Sequence, residues 1–141
     1  MGSLFRQALA LLTLAFIPAI GHAVVQRHHI QWDEGVVLPD EVTLEQADAW
    51  GSSVLWVDAR PDEQFAKQHV EGAISLNEDR WNELLPAMLT TWSPDKHAVV
   101  YCSTQSCSLS HQVAKRLREE AGLKEVYVLH GGWERWLEVH K

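Results

Sequence analysis

Cysteine is scarce in this chain. There are two, Cys102 and Cys107, with four residues between them. So close a pair cannot staple a fold, so the domain must stand on its hydrophobic core. Basic residues are also short, 12 Lys and Arg against 19 Asp and Glu, for a formal charge of −7. That balance argues against nucleic acid or an anionic membrane as partner. Repeats and low-complexity tracts are absent. The adjacent pair His28 and His29 has no further spaced ligands. It reads as a solvated tail, and no metal or cofactor is expected. Tryptophan, by contrast, is plentiful: seven residues that supply core volume.

The one long apolar run lies at the start. Arg6 gives a positive lead, and Ala8 to Ile17 is apolar or small but for Thr13. Pro18 breaks the run, and Gly21-His22-Ala23 offers small residues for cleavage. We read residues 1–23 as a secretory signal peptide, since the run is shorter than the ~20 residues a spanning helix needs. A retained anchor is the alternative. Cleavage would leave a periplasmic or secreted protein with no stable membrane insertion. Residues 24–41 read as a flexible lead-in and 42–141 as one domain.

Within that domain, Thr43-Leu44-Glu45-Gln46 fits a capping box opening a helix that runs to Trp50. Continuous apolar segments at Val54–Val57, Gly72–Leu76, Ala98–Tyr101 and Val126–Leu129 read as buried strands. Helices are expected over Pro61–Lys67, Arg80–Leu89 (bent or split at Pro86), Ser108–Ala121 and Trp133–Val139. Strand and helix alternate, with connections too long for hairpins. The fold class is therefore α/β: a small parallel sheet of four to five strands with helices on both faces. Reactive groups in such sheets lie beyond the carboxyl ends of the strands, where Asp58, Cys102 and His130 all fall.

Cys102 ends a β-branched apolar strand, and Ser103, Thr104, Gln105, Ser106, Cys107 and Ser108 lead from it into a helix. Backbone N–H groups at a helix start favour an anion, hence the thiolate over the thiol. Cys102 is the candidate nucleophile, and residues 103–108 are the candidate substrate-binding loop. Cys107 reads as a resolving thiol, a disulfide partner or simply a small residue. Asp58 and Arg60 read as a structural ion pair beside the loop. His69 reads as a hydrogen-bonded structural residue. His111, in the first turns after the loop, either helps hold a thiolate or faces solvent.

Three segments resemble the rhodanese family. Val57-Asp58-Ala59-Arg60 through Glu63, Phe65, His69, Gly72 and Ala73 is similar to its "D-x-R … E-F … G-H-I-x-G-A" signature. Val100-Tyr101-Cys102 with the following loop and helix resembles its strand, cysteine and cradle. Val126 to Gly132 with Trp133 and Trp136 resembles its closing "V-x-x-L-x-G-G-x-x-x-W". The resemblance implies a sulfurtransferase that moves sulfane sulfur through a persulfide on Cys102. It implies a donor such as thiosulfate, another small sulfur-containing anion or a persulfide, and cyanide or a thiol as acceptor, with no cofactor. The sequence departs from the family at Gln68 for glycine and Glu71 for proline. In the loop pattern "C-x-x-G-x-R-S", Gln105 stands for the glycine and Cys107 for the arginine.

Rival readings follow from the residues themselves. A phosphatase on a related fold needs an arginine six positions after the cysteine; Ser108 stands there, which excludes it. A thiol–disulfide exchanger would use Cys102 and Cys107, although their spacing is not C-x-x-C. A non-catalytic binding module of the same fold is the remaining alternative.

Overall fold

The computed structural model describes residues 36–104 and 108–140. The expected signal at 1–23, the lead-in as far as residue 35, and Gln105, Ser106 and Cys107 lie outside the described residues.

The chain runs β1 (Glu41–Val42), α1 (Leu44–Trp50), a 3-10 turn (Gly51–Ser53), β2 (Val54–Asp58), α2 (Asp62–Lys67) and β3 (Ile74–Ser75). It continues through α3 (Trp81–Thr91), β4 (His97–Tyr101), α4 (Ser108–Glu119), β5 (Val126–Leu129) and α5 (Gly132–Val139). The five strands form one parallel sheet in the order β1-β5-β4-β2-β3. This is the expected α/β class with five strands.

Strand alternation explains why the apolar runs are continuous. On one face Leu55, Val57, Val100, Val126 and Val128 meet Met88 of α3 and Val113, Ala114 and Leu117 of α4. On the other, Val99, Tyr101 and Leu129 meet Leu44 and Ala47 of α1 and Trp133 of α5. Each central strand is thus apolar on both sides, as a covered parallel sheet requires. The α1 capping box forms as read: Thr43 Oγ1 accepts from the Gln46 N–H at 3.3 Å, and Gln46 Oε1 accepts from the Thr43 N–H at 2.9 Å.

Two local expectations are corrected. Helix α3 is not split at Pro86 but runs unbroken from Trp81 to Thr91. Both Pro86 and Asn82, whose carbonyl loses its helical donor, are exposed, so water can satisfy that oxygen. Glu41, read as the end of the lead-in, is strand: it lies opposite Val128 and is buried. Two residues carry too little periodicity to announce a strand.

Candidate active site

The site is built at the carboxyl end of the sheet. Asp58 closes β2 and lies opposite Tyr101 of β4; Val100 lies opposite Val128 of β5. Cys102, one residue past β4, is therefore level with His130, one residue past β5. Cys102 continues the alternation on the side of Val100, beneath α4, and is 1% exposed. It is disulfide-bonded, and Cys107 is the other cysteine of the chain.

The turn after β5 clamps the start of the loop. The Trp133 N–H donates to the Cys102 carbonyl at 2.7 Å, and the Glu134 N–H donates to the Ser103 carbonyl at 3.2 Å. Two successive amides at the opening of α5 thus fix the two peptides that follow the cysteine. This approach leaves no room for a side chain at Gly132. A Cβ built there would sit 2.6 Å from the Cys102 carbonyl oxygen, at a φ of +59°. Gly132→Ala should therefore push the Cys102 backbone aside as well as strain its own, at a cost of about 1–3 kcal/mol for the strain alone. A lower thermal midpoint and weakened cysteine chemistry are expected; a midpoint equal to wild type would show that the contact does not matter.

Asp58 and Arg60 form a closed unit on the opposite face of the sheet from Cys102. The Asp58 carboxylate accepts from the Arg60 backbone N–H at 2.9 Å, from Nε at 3.0 Å and from Nη2 at 2.6 Å. Nη2 also donates to the Gln68 carbonyl at 2.7 Å. The guanidinium lies 4.4 Å from the Trp133 ring centroid and 5.4 Å from that of Tyr101. Both charged residues are buried. A buried charge stripped of its partner costs about 3–5 kcal/mol, so the pair stays together. Arg60 therefore braces β2, α2 and α5 against one another and is not a spare cation for a substrate. Gln68, the departure from the family's glycine, has φ −165°, extended backbone that any residue adopts. Only its carbonyl is needed here. Tyr101 Oη accepts the Val70 N–H at 3.2 Å, and burial pushes its hydroxyl well above the usual range.

The remaining candidates fall at different distances from this centre. Ser103 Oγ donates to Gln64 Oε1 at 3.0 Å, which ties the loop to α2. Thr104 follows it in the loop, and Ser108 opens α4. His69 is exposed; its Nδ1 bonds the Phe65 carbonyl at 2.8 Å and its ring stacks on Phe65 at 4.0 Å. These are contacts within its own turn. His111 is half-buried: its Nε2 lies 3.3 Å from Glu41 Oε1 and its Nδ1 3.8 Å from Asp40 Oδ2.

Glu41 is the residue that sequence reasoning missed. Its Oε2 lies 2.9 Å from His130 Nδ1 and accepts the Leu38 N–H at 3.0 Å. Burial would raise its pKa, but the Leu38 N–H and the two histidines more than offset this and hold it below the usual carboxylate range. Glu41 thus joins the edge strand to α4 and to the residue level with Cys102. Its partners are 70 and 89 positions away, so no local pattern could have announced it.

Beside Ser103, Arg60, Gln64, Lys67 and Trp133 line a cleft of about 310 Å³. A somewhat larger hollow, about 370 Å³ among Trp92, Pro94, Lys124 and Glu125, lies at the opposite end of the sheet. It adjoins no nucleophile, whereas the cleft at Ser103 borders the residue that follows Cys102.

Comparisons with known proteins bear on the family and the fold. Residues 41–139 match the rhodanese-like domain. A thiosulfate sulfurtransferase, GlpE, of Shewanella oneidensis is 34% identical over 88 residues, covering 62% of this chain and 80% of that protein. Among solved structures, a Bacillus halodurans protein superposes with a TM-score of 0.60 at 22% identity, over 84% of this chain and 82% of its own. A rhodanese-related protein from Thermoplasma volcanium gives 0.56 at 16% identity, over 70% and 91%. With the five-stranded parallel sheet, the cysteine past its central strand and a match across the folded residues, the chain belongs to the rhodanese-like family.

Proposed function

We propose that this protein is a sulfurtransferase that carries sulfane sulfur as a persulfide on Cys102. The observation that carries the reading is the placement of Cys102. It stands at the carboxyl end of the central strand, its peptide is fixed by the amides of α5, and the chain passes from it into the start of α4. The similarity to a thiosulfate sulfurtransferase supports the same reading.

In the reduced protein, the Cys102 thiolate attacks the outer sulfur of thiosulfate. A new S–S bond forms, the old one breaks and sulfite leaves with its electron pair. Amides at the start of α4 stabilise the persulfide anion. Cyanide then attacks the outer sulfur and departs as thiocyanate, and the thiolate returns. This is two-step covalent catalysis with no cofactor in either step. Intact mass provides the test. Reduced protein should gain one sulfur atom from thiosulfate and lose it to cyanide. A chain that never gains the atom would instead be a binding module of the family.

The disulfide at Cys102 favours thiol–disulfide exchange as a second reading. That activity would transfer electrons to a dithiol substrate and leave no sulfur on the protein, so the same mass measurement separates the two.

Export completes the proposal. Residues 1–23 carry the pattern of a cleaved signal, and a periplasmic or extracellular setting would permit the disulfide. Exported protein should begin at Val24 on N-terminal sequencing. Full-length chain recovered only from membranes would make the segment an anchor.

A further inference from the structure

We propose that Glu41 and His130 form an acid–base pair for Cys102, in which His130 takes the proton of the reduced thiol and Glu41 positions the imidazole. The proposal rests on the reading of Cys102 as the nucleophile and adds the means by which its thiolate is formed and kept.

Three observations lead to it. The first is placement. Val100 of β4 lies opposite Val128 of β5, and both belong to the cluster beneath α4. Side chains return to the same face every second residue, so Cys102 and His130, each one residue past its strand, come up side by side on it. Neighbouring strands run about 4.8 Å apart, which brings a sulfur and an imidazole at such positions within reach of each other. The turn after His130 closes on the same cysteine: Gly132 packs on its carbonyl and the Trp133 N–H donates to it. The second is orientation. Glu41 also lies opposite Val128, from the other side, and its Oε2 is 2.9 Å from His130 Nδ1. An ionised carboxylate only accepts, so Nδ1 carries the ring proton and Nε2 is the nitrogen left to take another. Among the described residues Nε2 has no hydrogen-bond partner. The third is the lack of another base on this face. Ser103 to Ser108 include no His, Asp, Glu, Lys or Arg. Asp58, opposite Tyr101, is engaged by Arg60 on the other face of the sheet.

The step is a proton transfer. The Cys102 S–H bond breaks, its electron pair stays on sulfur, and the proton bonds to His130 Nε2. Glu41 stabilises the imidazolium through Nδ1, as a carboxylate does for a histidine base. The imidazolium then faces the thiolate, and after attack on the donor it faces the persulfide anion. Removal of the outer sulfur restores the thiolate, so no proton need enter or leave during a cycle. A positive charge thus stands beside the sulfur although the loop sequence carries none. Other charged groups surround the pair. His111 Nε2 of α4 lies 3.3 Å from Glu41 Oε1, and Arg118 of α4 lies 3.3 Å from Asp40 Oδ2. These two cations meet Oε1 and Asp40, which leaves Oε2 facing His130. From the start of α5 comes Glu134, which is exposed.

The pH profile of Cys102 alkylation tests the proposal. Reduced full-length protein is treated with iodoacetamide from acid to alkaline pH, and modification at Cys102 is located by fragmenting its peptide. In His130→Gln the profile should move toward alkaline pH, the range of an unassisted thiol, so that the rate near neutral pH falls about tenfold. At alkaline pH the two proteins should converge, because there the thiolate forms without a base. Glu41→Gln, whose amide oxygen still accepts from Nδ1 but carries no charge, should move the profile the same way by less. A merely structural role would lower the rate by one factor at every pH. That result, or coinciding profiles, would overturn the proposal. If His130→Gln does not fold, Glu41→Gln decides: an unmoved profile overturns it. Alkylation needs no sulfur donor, so the two readings fail separately. A shifted profile in a protein that gains no sulfur from thiosulfate keeps the acid–base pair and removes the sulfurtransferase reading. Sulfur uptake with coinciding profiles does the reverse.

Discussion

Replacing Cys102 with serine should abolish sulfur uptake from thiosulfate, not merely slow it. In the reduced wild type one sulfur atom per chain is expected; in Cys102→Ser, none. A hydroxyl at this position is neither ionised near neutral pH nor able to hold a sulfane sulfur, since the persulfide needs a sulfur beneath it. The substitution is close to isosteric, and the backbone contacts that fix the position come from the carbonyl, which serine retains: the Trp133 N–H still has its acceptor at 2.7 Å. Loss of chemistry should therefore come with a near-native thermal midpoint. Cys107→Ser, measured alongside in the reduced state, should still gain sulfur. If Cys102→Ser takes up the atom and Cys107→Ser does not, the nucleophile has been assigned to the wrong cysteine.

The parts of this site that lie close together in sequence were legible there. A valine-rich strand and a polar loop entering a helix put Cys102 just past β4, where the structure has it. The Gly131-Gly132 pair marked the turn whose second glycine packs on the Cys102 carbonyl, a contact that only a residue without Cβ permits. The spacing of Asp58 and Arg60 likewise gave the ion pair, because two positions suffice for a guanidinium to fold back on the carboxylate. What stayed hidden depends on the topology. Strand β1 has two residues, and it is a strand because β5 provides its hydrogen bonds: the Val128 N–H reaches back to the Asp40 carbonyl and the His130 N–H to the Val42 carbonyl, each at 2.9 Å. Glu41 gains its histidine partners only when the last strand lies between β1 and β4. His111 could be placed on α4 from periodicity, but not assigned a carboxylate on an edge strand some 70 positions earlier. The unbroken run of α3 through Pro86 escaped for a different reason. A proline inside a helix is disfavoured, but the burial of Trp81 and Met88 on either side of Pro86 holds the helix through it.

Thiosulfate turnover should vanish in the oxidised protein and return with a dithiol reductant. The thiosulfate reaction begins with a thiolate attacking sulfur, and a Cys102 held in a disulfide has no lone thiolate with which to begin. Activity should follow the fraction of reduced chains, from none in fully oxidised protein to its full value after reduction. Cys107, which stands where the family resemblance leads one to expect arginine, is the cysteine available to close that bond. Cys107→Ser should therefore keep its activity through mild oxidation that silences wild type. The measurement needs the bond state checked by mass in the same samples, since a chain oxidised beyond the disulfide would also lose activity without regaining it. Equal turnover by oxidised and reduced wild type, with the bond confirmed present and absent, would show that the disulfide does not control access to Cys102. The expected result would instead make the pair a selector. The dithiol form would take sulfane sulfur from thiosulfate, while the disulfide form would be closed to thiosulfate until a reductant returns the thiolate.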